Sequence, residues 1–137
     1  MAAKIFPGKF ESLAVIAEYI KAEALAAGLD EKDTYSVQLA VDEACTNIVE
    51  HAYGGEGKGN IELDCSATKD GLEITIHDNG KQFDPDSIPK PNIGAPLEEF
   101  GPRGAGVFLM RKLMDEVQYE FKKDQGTTLR MVKKKSG

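Results

Sequence analysis

Two cysteines in 137 residues are too few for a disulfide framework, and the N-terminus shows no signal-peptide hydrophobic core. Cys45 and Cys65 therefore read as reduced core residues. No apolar run approaches the roughly 20 residues of a membrane span. Positive charge is short as well: 17 Lys and Arg against 23 Asp and Glu leave a net charge of −6. That balance argues against non-specific binding to nucleic acid or a membrane surface, and the expected compartment is the cytoplasm. Residues 133–135, three lysines, read as a solubilising tail. Internal repeats and low-complexity segments are absent too.

What is present centres on VDEACTNIVEHAY, residues 41–53. Val37, Ala40, Val41, Ala44, Ile48 and Ala52 recur at helical spacing, which predicts one helix over about residues 33–52. Glu43 and Asn47, four apart, share one border of its apolar face. An earlier helix is expected over residues 11–27, with Leu13, Ile16, Ala17, Ile20 and Ala24 inward and Gly28 as C-cap. Asp30 or Asp33 can cap the central helix. Residues 4–10, broken by Pro7 and Gly8, are an edge strand at best.

After the central helix the period changes to two. Ile61, Leu63, Cys65 and Ala67 alternate with polar residues, as do Leu72, Ile74 and Ile76, and Asp70-Gly71 marks the hairpin between them. Asp78 continues the inward parity of the second strand, where a carboxylate is costly unless something hydrogen-bonds it. In the last hairpin Thr127 likewise shares parity with Leu129 and Met131. Residues 81–100 hold four prolines and no periodicity, the signature of a functional lid or an insert. Gly101-Pro102-Arg103-Gly104-Ala105-Gly106 then leads into a helix, an arrangement that lets backbone N–H groups approach an anion. It is neither a P-loop, since no Gly-Lys-Ser/Thr follows, nor a dinucleotide fingerprint, since no strand precedes it.

In this order the motifs resemble those of the GHKL ATPase superfamily, which includes DNA gyrase, histidine kinases and heat-shock chaperones. Glu43-x-x-x-Asn47 is similar to its N box, and Asp78-Asn79-Gly80 to its Asp-x-Gly box. Residues 101–106 resemble its second glycine box, and Gly126-Thr127-Thr128 its final Gly-Thr signature. Each is common alone; the ordered set is not. DEACTNIVEHAY, DNGKQFDP, GPRGAGVFLMRKLMDEV and GTTLRM look most like the anti-sigma-factor serine kinases. A histidine kinase would need a helical hairpin carrying a phospho-accepting histidine, whereas His51 and His77 both read as structural or surface residues.

The resemblance implies a single GHKL-type ATP-binding domain over residues 1–137. Its fold would be α+β, a two-layer α/β sandwich with a mixed, mostly antiparallel sheet covered on one face by helices. It implies ATP and Mg²⁺ as cofactors and residues 81–103 as a flexible ATP lid. Asp78 would accept the adenine amino proton, with Gly80 leaving room for the base and Thr127 holding it directly or through water. Asn47 would be the metal ligand. Gly101, Gly104, Ala105, Gly106 and Val107 would form the phosphate cradle, and Arg103 would pair with the terminal phosphate. Glu43 would be the general base. Pro102, the residues 105–107 and Phe108 depart from the commonest second glycine box, which bears on lid geometry and turnover. The implied partners are a sigma factor and a small anti-anti-sigma substrate, and a homodimer is allowed. Against a serine kinase stands a nucleotide-gated binding module without turnover; retention of Glu43 beside Asn47 favours the kinase.

Overall fold

The computed structural model describes residues 3–81, 104–122 and 125–136, and within 104–106 the backbone alone. Strand β1 (Lys4–Pro7) precedes helix α1 (Ser12–Ala26) and helix α2 (Glu31–Asn47). Strands β2 (Asn60–Ala67) and β3 (Gly71–Asp78), helix α3 (Gly104–Leu113) and strands β4 (Glu116–Phe121) and β5 (Thr127–Lys134) follow. The sheet has the order β1-β2-β3-β5-β4. Every described pairing is antiparallel, so the parallel component of a mixed sheet does not occur among the described residues.

Period-2 patterning puts the apolar residues of three strands in register. Leu63 faces Ile76, which faces Leu129, and Cys65 faces Ile74, which faces Met131. All six are buried, and they form one core with Ile16 and Ile20 of α1, Val37, Val41 and Ala44 of α2 and Met110 of α3. Both cysteines are free and buried there. The opposite sheet face carries Glu62, Asp64, Glu73, Thr75 and Arg130, the polar-out half of an antiparallel sheet. Arg130 spans its neighbours at 3.0 Å from Glu73 and 3.6 Å from Glu116. Helices on one face and solvent on the other give the expected two-layer sandwich. Among the described residues no helix is long and apolar enough to cross a membrane.

The central helix departs from its expected outline at both ends. Asp30 is its N-cap, accepting the Asp33 N–H at 2.7 Å. Asp33 is instead buried and reaches across the chain: its carboxylate accepts the Ser136 amide at 2.9 Å and the Ser136 hydroxyl at 2.8 Å. Lys133 Nζ lies 3.9 Å from the same carboxylate and donates to the Leu113 carbonyl at 2.8 Å. Burial pushes the Asp33 carboxyl pKa up, but the two Ser136 bonds and the charges of Lys133 and Lys32 outweigh it and leave it below the ordinary value. At its other end the α-helix stops at Asn47, and Ile48–Ala52 form a π-helical turn that the Tyr53 N–H closes onto the Ile48 carbonyl at 2.9 Å. Wide turns of this kind are rare and concentrate at functional sites.

Candidate functional site

Between the end of the central helix and the adjoining ends of β3 and β5 lies a small cleft. Ala44, Asn47, Ile48 and Ala52 line its helical wall. Ile76 and Asp78 of β3, with Lys81 beyond it, and Thr127 and Leu129 of β5 line the sheet wall, which Tyr119 of β4 extends. Half of the lining residues are aliphatic, and polar side chains converge among them. That is the usual constitution of a small-molecule site.

Three of those polar groups are buried: Asn47 is 8% exposed, Asp78 5% and Thr127 5%. Asp78 and Thr127 are direct cross-strand partners, as their shared inward parity predicts. Asn47 Nδ2 and Thr127 Oγ1 have no hydrogen-bond partner within the described structure. Leaving a buried donor or acceptor unsatisfied costs about 1–3 kcal/mol, so two of them in one cleft point to a polar ligand that satisfies both. Asp78 is already engaged on one side, where its Oδ1 accepts the Gly80 N–H at 2.9 Å.

The turn after β3 is fixed from several directions. The Lys81 N–H donates to the Ala52 carbonyl at 2.6 Å, and the Asn79 N–H donates to the Tyr53 phenol at 3.1 Å. Tyr53 in turn donates to the Asn60 carbonyl at 2.6 Å, so one phenol ties the helix end to the start of β2 and the exit of β3. Gly80 does not line the cleft. A Cβ there would meet the Ala52 carbonyl oxygen at 2.5 Å and carbon at 2.6 Å, so the room it leaves is filled by the helix end rather than by a base. Gly126, at φ +78°, lies against the Asp78 carbonyl, where a side chain would overlap it.

Glu43 is half-buried one helical turn before Asn47, and it is not part of the cleft lining. Burial raises its pKa, and the nearby Asp42 and Glu50 carboxylates raise it further. Gly104, Ala105 and Gly106 form the first turn of α3, and Val107 is buried. Gly101, Arg103 and the expected lid beyond Lys81 lie outside the described residues. His77 sits on the solvent face of the sheet as its parity predicts, 2.9 Å from Thr128 Oγ1 and 3.3 Å from Asn79 Oδ1. His51 lies 3.7 Å from Glu50 and does not line the cleft. Tyr53 was missed by the sequence reading, because a tyrosine just past a helix end carries no periodic signal. Tyr119 and Lys81 were missed as cleft residues.

Comparison with known proteins shows the family and the fold. The sequence profile of the histidine kinase-like ATPase domain matches residues 6–133. The chain belongs to that family. Among curated relatives, a serine-protein kinase RsbW of Bacillus cereus is 35% identical over 131 residues, covering 93% of this chain and 80% of the relative. The namesake from Halalkalibacterium halodurans is 37% identical over 132 residues, covering 93% and 78%. In solved structures, the RsbU and RsbW domains of Rv1364c from Mycobacterium tuberculosis share the fold with a TM-score of 0.64 at 13% identity, covering 98% of this chain and 32% of that one. The histidine kinase domain of the blue-light activated kinase of Erythrobacter litoralis does so at 0.53 and 20% identity, covering 92% and 60%.

Proposed function

We propose that the chain is an ATP-dependent serine-protein kinase acting in the cytoplasm as an anti-sigma factor. It phosphorylates a serine of a small antagonist protein and exchanges partners with nucleotide state. The observation that carries this reading is the buried trio Asn47, Asp78 and Thr127, with two unsatisfied polar atoms, in a cleft of the ATPase family. The curated relatives' name, serine-protein kinase, supports the choice of acceptor.

The residues fit ATP with Mg²⁺. Mg²⁺ would be held by the Asn47 carboxamide oxygen and phosphate oxygens, few protein groups being usual for this cation. When bound, Mg²⁺ neutralises phosphate charge. Asp78 offers its carboxylate to the adenine amino group, and Thr127 offers its hydroxyl beside it. Gly104, Ala105, Gly106 and Val107 supply first-turn N–H groups to the phosphates, Gly101 lets that loop approach, and Arg103 pairs with the terminal phosphate. Glu43 takes the proton from the attacking serine hydroxyl; its raised pKa makes it a stronger base than an ordinary glutamate.

A binding module gated by nucleotide but without turnover would need the same cleft and no base. Incubation with γ-labelled ATP, Mg²⁺ and the antagonist protein encoded nearby should yield phosphoserine. Tight ATP binding with no transfer would favour the module instead.

A further inference from the structure

Lys81 stands apart among the cleft residues. It is the sole cation among the described lining residues, and its side chain forms no hydrogen bond or ion pair within the described structure. Asp78 is the one carboxylate among the described lining residues. A lone ammonium on the wall of a cleft is placed for a ligand with negative charge or an electron-rich face.

Backbone geometry says which part of a nucleotide it meets. Lys81 is three residues beyond Asp78, and the turn between them is held by the Gly80–Asp78 bond at 2.9 Å and the Asn79–Tyr53 bond at 3.1 Å. Its own N–H is fixed on the Ala52 carbonyl, more than one helical turn past Asn47. Asp78 and Thr127 mark the base end of the cleft and Asn47 the phosphate end. Lys81 is therefore anchored beside the base end, in the turn that directly follows Asp78. We propose that Lys81 is a further nucleotide-contact residue whose ammonium lies against the adenine base. This rests on the nucleotide reading above and adds a contact to it.

Because the anchoring bond uses the Lys81 backbone, Lys81→Ala keeps the turn, and its melting temperature without nucleotide should equal the parent's. Calorimetric titration of parent, Lys81→Ala and Lys81→Arg with AMP, ADP and ATP then decides. Lys81→Ala should weaken all three by the same factor, about 3- to 30-fold, and Lys81→Arg should restore most of the loss. Unchanged affinities in Lys81→Ala would overturn the proposal, as would a loss that grows with each added phosphate. If the parent itself bound no adenine nucleotide, the proposed function would fall along with it. Parental binding that Lys81→Ala leaves untouched removes the Lys81 contact alone.

Discussion

Gly80→Ala distinguishes two explanations of one glycine. Its added Cβ would lie 2.5 Å from the Ala52 carbonyl oxygen, 2.6 Å from its carbon and 2.7 Å from the Ala52 Cβ. Those are backbone atoms and the first side-chain carbon of a π-helical turn, none of which can swing aside. The turn must move away from the helix end, at about 1–3 kcal/mol for overpacking. The Lys81 N–H would then lose the Ala52 carbonyl, a bond worth about 0.5–1.5 kcal/mol net. Together the expected loss is about 2–4 kcal/mol, or roughly 6–16 °C in melting temperature for a domain of this size. Urea and thermal unfolding without nucleotide measure it. If the glycine only made room for a base, the variant would unfold like the parent and lose binding alone. Parental stability without ligand would refute the packing argument.

Three further outcomes are expected. Tyr53→Phe keeps the ring but removes the acceptor of the Asn79 N–H and the donor to Asn60, costing about 1 kcal/mol in urea denaturation and weakening nucleotide binding through the loosened turn. Asp33→Asn should cost about 1–3 kcal/mol at neutral pH. Because the folded carboxyl pKa is lowered, that stabilisation is present above the ordinary aspartate value and lost as pH falls through the lowered one. The gap between parent and variant should therefore close in acid, and a gap independent of pH would contradict the clasp. Asp78→Asn replaces a pure acceptor by a mixed amide and should reduce ATP affinity by about tenfold or more, read by calorimetry.

Much of this was legible in residue order. The helical period marked the inner faces of α1 and α2, and strand parity aimed Asp78 and Thr127 into one space that the register of β3 and β5 then closed. Asp33 stands four residues before Val37 on the apolar face, so its burial could have been read; its partner Ser136, 103 residues away, could not. The π-turn leaves no trace in hydrophobic spacing, because it changes which carbonyl each N–H meets rather than which side chains are apolar. The Gly80 packing was hidden for a similar reason: a missing Cβ reads the same whether helix or ligand fills the space. The antiparallel pairing of all the described strands followed from strand order, which periodicity alone does not give.

The kinase reading stands or falls on Glu43. Glu43→Gln keeps size and hydrogen-bonding reach but removes the proton acceptor, and the residue lies outside the cleft lining, so nucleotide affinity should hold. The rate of phosphoserine formation on the antagonist protein, measured beside ATP affinity on the same preparation, is the deciding measurement. The expected result is a fall of about 10²- to 10⁴-fold in rate with affinity unchanged. Transfer at the parental rate would contradict the mechanism.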